Sequence, residues 1–283
     1  MAIIASASSG QAAADAAVRL RSDGFLAMPG VLRPDGVARL AAALDQVYEE
    51  EVARGHTREG TPMHLLGEIG RDDLFLELVD HPVVLPVICG ELGWNIHLHH
   101  CHLDVTPPRA QPRRRYVWRW HQDGGRQNLD LDSDPRPRMS LKVAFWLSDL
   151  SEPGRGNMLV VPGSHESNTL PRPDRPELGF EPPAGAEPVL ASPGDALVFD
   201  RRLWHSRSDN LSEHTRRVVF LAYTFRWVRP RDDLGIDPSS RRFRGLTPVC
   251  RQLLGEPASR HDQWGLQPDA VPLHAELNRP GGF

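Results

Sequence analysis

Lysine is nearly absent from this chain. Of the 33 basic residues only Lys142 is a lysine, and the others are arginines. Together with abundant alanine, glycine and proline, this imbalance is typical of a GC-rich bacterial genome, and it says nothing direct about function. Acidic and basic residues are interspersed, the net charge is −4 and there is no basic stripe, so a nucleic-acid partner is not expected.

Cysteines and long apolar runs are also scarce. Cys89, Cys101 and Cys250 are widely spaced and form no CxxC motif, which favours reduced thiols over a disulfide framework. The N-terminal stretch lacks a positively charged region and carries Asp15, so it is a poor secretory signal. No apolar run approaches the ~18 residues of a membrane helix. We therefore expect a cytoplasmic protein with no membrane partner; the sequence does not predict its oligomeric state.

Strand signals spread across the second half of the chain favour one domain, residues 1–283, with about the first dozen residues mobile. A short helix should precede a strand at 24–28, and apolar residues at helical spacing predict an amphipathic helix around 37–48. We expect further helices near 73–79 and 83–92. Strands are predicted at 95–105, 115–121, 139–147, 157–162, 187–191, 195–200 and 216–227. Short strands punctuated by glycine and proline indicate a mainly β protein with flanking helices, a sandwich or jelly roll.

The segment Trp118-Arg-Trp-His-Gln-Asp-Gly-Gly125 is the most informative motif. Residues two apart on a strand point to the same face, so His121 and Asp123 should be presented side by side. His205 follows the strand-like stretch 195–200. Two histidines and one carboxylate on one side of a metal, with open positions opposite, are typical of non-heme Fe(II) oxygenases. A lone His-x-Asp is usually a surface pair, but His121, Asp123, His205 and Arg216 in this order are hard to explain by chance.

Longer blocks of sequence carry a family resemblance. They are Trp120-His-Gln-Asp123, Val143-Ala-Phe-Trp-Leu-Ser-Asp149, Gly156-Asn-Met-Leu-Val-Val-Pro-Gly-Ser-His165 and Pro193-Gly-Asp-Ala-Leu-Val-Phe-Asp200, followed by Trp204-His205, Asn210 and Arg216. Between about residues 23 and 227 the chain resembles the phytanoyl-CoA dioxygenase-like Fe(II)/2-oxoglutarate oxygenases. The resemblance implies a double-stranded β-helix (jelly roll, cupin-like) with N-terminal helices on one sheet and a catalytic core at about 95–227.

The resemblance also implies a ligand set. Fe(II) would be bound by His121, Asp123 and His205, which leaves positions for the cosubstrates 2-oxoglutarate and dioxygen. Arg216 would anchor the far carboxylate of 2-oxoglutarate, because a guanidinium offers that carboxylate a planar two-point match. Arg217 is the rival anchor, and strand alternation sends the two arginines to opposite faces. The resemblance further implies cosubstrate contacts for His102, Gln122 and Trp146.

Other site predictions concern the substrate. Arg119, Arg126 and Gln127 lie close to the metal motif and could meet a polar or anionic substrate. Four histidines between residues 95 and 105 could indicate a second metal site, although we expect packing or surface roles for those other than His102. Strand alternation predicts His100, His102 and Asp104 on one face, and His97, His99 and Cys101 on the other. The polar, proline-rich segments 129–138 and 168–188 are expected to border the pocket mouth as lids or to be disordered.

These features predict a dioxygenase that acts on a small organic molecule, with aliphatic hydroxylation in bacterial secondary metabolism as the leading reaction. Asp123 argues against halogenation, since related halogenases have a small residue there. Desaturation, cyclisation and epimerisation remain open. Two alternatives of another class remain. A cupin-like metal isomerase or lyase would need further metal ligands and would not need Arg216. A non-catalytic binding module would be expected to have lost Arg216 or one of the three metal-ligand candidates.

Overall fold

Two antiparallel sheets form the centre of the protein. The computed structural model describes residues 10–112, 120–171, 182–256 and 271–279, with side chains from residue 17 onward. The strands are β1 (Phe25–Met28), β2 (Met63–Leu66), β3 (Ile96–Thr106), β4 (Ser140–Trp146), β5 (Met158–Val160), β6 (Glu187–Pro188), β7 (Ala196–Asp200), β8 (His205–Arg207) and β9 (Arg216–Phe225). The larger sheet has the order β1-β7-β4-β9-β3-β2, and the smaller has the order β6-β5-β8.

The described residues form eight α-helices, several of which pack against one face of the larger sheet. They are α1 (Gly10–Asp23), α2 (Pro34–Ala53), α3 (Asp73–Leu76), α4 (Leu85–Leu92), α5 (Gln127–Asp130), α6 (Arg241–Arg244), α7 (Pro248–Leu253) and α8 (Pro272–Leu277). In α2 a proline in the first turn fits the helix start, where no N–H partner is needed. Its buried side chains include Val37, Leu40, Leu44 and Val47, the predicted apolar stripe. No helix in the described ranges is both long and apolar enough to cross a membrane.

Both faces of the larger sheet are buried, which explains why β4 and β7 are almost continuously apolar. On β4, Leu141, Val143 and Phe145 join the core beneath the helices, whereas Ala144 and Trp146 join the core shared with the smaller sheet. The strand alternation therefore divides one sequence run between two cores. The predicted mainly β architecture with N-terminal helices on one sheet is confirmed; the single-domain boundary stays a prediction.

Some predicted elements differ from the structure. The strand predicted at 187–191 is reduced to Glu187–Pro188, and most of the one predicted at 115–121 falls at 113–119, outside the described residues. A bulge between Leu98 and His100 inserts one residue into β3. Leu98 and Cys101 consequently both join the helix-side core. The predicted grouping of His97 and His99 with Cys101 is wrong, because the extra residue shifts the alternation.

Candidate metal and cosubstrate site

Three potential metal ligands meet at the end of the smaller sheet. His121 and His205 form an isolated antiparallel bridge in which each backbone N–H donates to the other's carbonyl oxygen at 3.0 Å. Asp123 Oδ1 lies 3.8 Å from His121 Nε2 and 3.9 Å from His205 Nε2. One ligand atom from each residue lies within 4.8 Å of the other two. The backbone pairing thus brings two distant parts of the sequence together as a set that could hold one divalent ion.

Hydrogen bonding, burial and nearby charges keep His205 and Asp123 in the protonation states that can bind a metal ion. The Nδ1 of His205 lies 2.8 Å from the carbonyl oxygen of Leu203 and must be its donor, which leaves Nε2 unprotonated on the neutral ring. Burial lowers the pKa of His205 to about 4, so the neutral, ligating form predominates near pH 7. Burial alone would raise the pKa of Asp123, but the charges of Lys142, His205 and His121 hold it well below its usual value. The carboxylate is therefore ionised.

Lys142 is a site residue that sequence reasoning missed. Its Nζ lies 3.1 Å from Asp123 Oδ2, and the residue is only 5% exposed. Lys142 faces inward with Ala144 and Trp146, as strand alternation requires. Two signals could have identified it: it is the only lysine of the chain, and it lies on a strand that is otherwise almost wholly apolar.

A first cavity of about 440 Å³ runs from the metal-ligand set into the space between the sheets. Arg216 lies in its wall, 2% exposed, and its Nε and Nη1 have no hydrogen-bond partner among the described residues. Its nearest acid is Asp104, at 3.8 Å between Nη1 and Oδ2, and its guanidinium lies 5.4 Å from the ring centre of Trp146. Burial lowers the pKa of Arg216 to about 9. Since a buried cation without a close partner is costly, the cavity is suited to an anion.

Arg217 is directed away from this cavity. Its Nε lies 2.6 Å from Asp45 Oδ1 of α2, and its Nη1 donates to the carbonyl oxygen of Thr215. The structure therefore brings Arg216 and not Arg217 beside the metal-ligand set, as strand alternation predicts.

The other predicted cosubstrate contacts divide into two groups. His102 lines the first cavity and its Nε2 is buried without a hydrogen-bond partner among the described residues, while Trp146 packs beside Arg216. Gln122 is different. Its Nε2 donates to the carbonyl oxygens of Ser167 and Arg202, and its Oε1 accepts from Arg136. Gln122 lines the second cavity and not the first, and its predicted contact with 2-oxoglutarate stays a prediction.

A second cavity, of about 670 Å³, opens on the other side of the metal-ligand set. His121, Asp123, Lys142 and Arg231 line both cavities, so the candidate metal site lies at their junction. Arg126 and Gln127, two predicted substrate contacts, line the second cavity. So do His99 and His100, which the bulge in β3 places next to each other. Arg119 lies outside the described residues.

A second cluster of metal-binding residue types lies in the first cavity. His64, His102 and Asp104 also bring ligand atoms within 4.8 Å of one another. His64 Nδ1 lies 2.6 Å from Asp104 Oδ1, but Arg207 and Arg216 both approach Asp104 Oδ2 to within 4.0 Å. Two guanidinium groups beside the only carboxylate of the cluster disfavour a further cation.

The fold and this site correspond to a class of jelly-roll oxygenases. The model of the phytanoyl-CoA dioxygenase (PhyH) family matches residues 20–218. The chain is 26% identical to ectoine dioxygenase from Nocardia farcinica over 245 residues, which cover 71% of this chain and 74% of that protein. It is 23% identical to L-proline trans-4-hydroxylase from Streptomyces griseoviridis over 235 residues, 74% of this chain and 85% of that protein.

A solved structure extends the comparison to the fold. The epimerase SnoN in complex with Fe3+, alpha ketoglutarate and nogalamycin RO superposes with a TM-score of 0.57 at 23% identity, over 81% of this chain and 89% of that one. The chain belongs to the phytanoyl-CoA dioxygenase family. It is a jelly-roll dioxygenase that depends on Fe(II), 2-oxoglutarate and dioxygen, so the predictions of fold, enzyme class and cofactors are confirmed.

Proposed function

We propose that His121, Asp123 and His205 bind Fe(II), and that Arg216 anchors the far carboxylate of 2-oxoglutarate. The observation that carries this proposal is a cavity whose wall contains two histidines, one aspartate and a buried arginine. The Nε and Nη1 of this arginine have no hydrogen-bond partner among the described residues. His102 and Trp146 flank the cosubstrate in this proposal. Three protein ligands suit an iron that must also bind 2-oxoglutarate and dioxygen.

Iron and 2-oxoglutarate, when bound, supply the oxidising chemistry that activates dioxygen toward a C–H bond. The residues of the chain orient the reactants. His205 stays neutral through its bond to Leu203, and Asp123 stays ionised beside Lys142. Trp146 and Phe220 flank the Arg216 guanidinium, at 5.4 and 6.0 Å from their ring centres, and the residue is only 2% exposed. Burial beside two aromatic rings strengthens the pairing of Arg216 with a carboxylate.

The substrate is proposed to be a small organic molecule that enters the second cavity and contacts Arg126 and Gln127, with Arg119 a further candidate. Aliphatic hydroxylation in bacterial secondary metabolism is the proposed reaction, supported by similarity to a proline hydroxylase. The similar fold of an epimerase makes epimerisation the alternative to test. We propose a cytoplasmic location, which fits the three buried, unpaired cysteines.

The metal assignment predicts that anaerobically reconstituted protein contains about one equivalent of iron. His121→Ala and His205→Ala should each lose most of it, because removing a ligand from a three-ligand site opens the coordination sphere. His214→Ala, an exposed histidine away from the cavities, is the control and should keep the wild-type iron content. Full iron content and turnover in both ligand variants would exclude this set.

The anchor assignment predicts different effects for two adjacent arginines. Arg216→Ala should weaken 2-oxoglutarate binding by well over tenfold, since losing a buried partner of a charge typically costs about 2–5 kcal/mol. Arg217→Ala removes a partly exposed pair with Asp45 and should change binding little. Calorimetric titration of the Ni(II)-loaded proteins measures both affinities. The reverse ranking would make Arg217 the anchor.

The reaction can be read from the mass of the product. Incubation with Fe(II), ascorbate, 2-oxoglutarate and candidate metabolites should yield a product about sixteen mass units heavier, with the added oxygen coming from labelled dioxygen. A loss of about two mass units indicates desaturation or ring closure, and unchanged mass with inverted stereochemistry indicates epimerisation. Turnover without 2-oxoglutarate or oxygen would favour the cupin-like alternative.

A further inference from the structure

We propose that Lys142 is a positioning residue that holds Asp123 as a one-oxygen metal ligand and gives the site the positive charge that retains the 2-oxoglutarate dianion. This inference rests on the proposed function, because it assigns a role toward the iron and cosubstrate. It goes beyond that function by predicting opposite effects of one side chain on the two binding steps.

The two oxygens of Asp123 have different neighbours. Oδ1 faces the Nε2 atoms of His121 and His205, at 3.8 and 3.9 Å. Oδ2 faces Lys142 Nζ at 3.1 Å. Among the described residues Asp123 is the only hydrogen-bonding or ion-pairing partner of the ammonium group. An ion held at the two histidines would therefore meet Oδ1, while Oδ2 stays on the ammonium and leaves another metal position free for cosubstrate.

The position of the ammonium is fixed by its surroundings. The rings of Phe220 and Phe199 lie with their centres 5.2 and 5.9 Å from Nζ, and Lys142 is 5% exposed. A buried lysine is unusual unless it is paired, and within the described ranges this one is ion-paired with a metal-ligand candidate alone. The single lysine of the chain thus lies where it touches both the metal-ligand set and the walls of both cavities.

The charges predict opposite effects of Lys142 on cosubstrate binding and on metal binding. Asp123 and Lys142 cancel, so a divalent ion at the site keeps two positive charges, which match the two negative charges of 2-oxoglutarate. Without the ammonium, the aspartate would cancel one of those charges and the site would attract the dianion less. The same ammonium repels the metal ion. Lys142 should therefore favour the cosubstrate at the expense of the metal, whereas a purely structural lysine would support both.

Binding measurements on the full chain test whether Lys142 affects metal binding and cosubstrate binding in opposite ways. For Lys142→Met we expect Ni(II) to bind at least as tightly as in wild type, and 2-oxoglutarate to bind the Ni(II) form at least tenfold more weakly. Lys142→Gln keeps a donor but not the charge and should resemble Lys142→Met. Lys142→Arg keeps the charge and should restore most of the affinity. Weakening of both metal and cosubstrate in Lys142→Met would indicate a structural role and overturn the proposal.

The matched control is Arg231→Gln. Arg231 lines both cavities but pairs with Asp232 and makes no ion pair with Asp123 among the described contacts. We expect less than a threefold change in 2-oxoglutarate affinity. If Arg231→Gln weakened 2-oxoglutarate binding as much as Lys142→Met, the overall positive potential of the cavities would explain both losses. That result would overturn a specific role of Lys142.

A spectroscopic measurement gives a readout independent of binding strength. Protein labelled with 15N-lysine has one lysine signal to observe. We expect the Nζ resonance of Lys142 to be protected from solvent exchange, to lose that protection in Asp123→Asn, and to shift strongly when Zn(II) is replaced by paramagnetic Co(II). A solvent-exchanging, unshifted signal would overturn the proposal. Failure of the wild-type protein to bind metal or 2-oxoglutarate would instead overturn the proposed function.

Discussion

The side chain of Arg216 reaches the first cavity only because residue 156 is a glycine. Gly156 has φ +78°, and a Cβ at this position would lie 2.8 Å from Arg216 Cδ. That separation is too short for two carbon atoms, so the buried side chain of Arg216 would have to shift. We predict that Gly156→Ala displaces the guanidinium and weakens 2-oxoglutarate binding at least tenfold, measured by titration of the Ni(II) form.

The variant Gly154→Ala is a control that distinguishes this steric effect from the effect of backbone strain. It also has a positive φ, +86°, but a Cβ there would meet nothing within 4 Å. Gly154→Ala should cost about 1–2 kcal/mol of unfolding free energy from its left-handed conformation and leave 2-oxoglutarate affinity unchanged. Equal losses of affinity in the two variants would show that loop strain, and not the contact with Arg216, controls the anchor.

Residue-level prediction worked where a local rule determines position. The i, i+2 spacing places Asp123 beside His121, and alternation separates Arg216 from Arg217. Lys142 was missed because a single lysine inside an apolar strand belongs to no motif. The hydrogen bonds of Gln122 to Ser167, Arg202 and Arg136 could not be predicted, because these partners come from distant segments that a sequence pattern does not bring together.

At the level of elements, the loop before β4 is tied to the loop after β5. Asn168 Nδ2 donates to the carbonyl oxygen of Ser133 at 2.7 Å, and its Oδ1 accepts from the Arg136 backbone N–H at 3.0 Å. Arg136 in turn donates to Gln122, next to the metal-ligand candidates. The predicted role of segments 129–138 and 168–188 at the pocket mouth stays a prediction, since residues 172–181 lie outside the described ranges.

These contacts predict that Asn168→Ala loosens residues 131–138. Two hydrogen bonds are lost, each worth about 1 kcal/mol, so amide hydrogen exchange in this loop should be roughly thirtyfold faster. Asn278→Ala is the control, because the hydrogen bonds described for its amide lie within the end of α8, to His274. Unchanged exchange of residues 131–138 in Asn168→Ala would mean that other contacts hold the loop.

Elements were predicted well where periodicity is strong and poorly where tertiary pairing creates them. α2 and the long strands β3, β4 and β9 follow clear patterns. β2 and β8 are four and three residues long and exist because they pair with β3 and β5. Such short segments have too few residues for alternation to be visible. The approach of His205 to His121 likewise depends on a bridge between distant segments, so only the family resemblance could anticipate it.

At the level of the whole molecule, buried neutral histidines couple stability to pH. Burial lowers the pKa of both His81 and His97 to about 4. In the unfolded chain their pKa returns to about 6.5. Between these two values the unfolded state binds protons that the folded state does not, so stability is complete above pH ~6.5 and falls as the pH drops toward about 4. Each such histidine contributes a slope of at most about 1.4 kcal/mol per pH unit.

His81 allows this coupling to be tested at one position. Its ring lies 5.8 Å from Phe145, its Nδ1 accepts weakly from the Val83 N–H, and its Nε2 has no partner among the described residues. His81→Asn keeps an acceptor for Val83 and does not titrate. Urea unfolding between pH 6.5 and 4.5 should show a slope smaller by roughly 1 kcal/mol per pH unit than in wild type, whatever the loss of stability at pH 7. His214→Asn, at an exposed position, should keep the wild-type slope. An unchanged slope in His81→Asn would mean that His81 takes up its proton equally in the folded and unfolded states, and that burial does not keep it neutral.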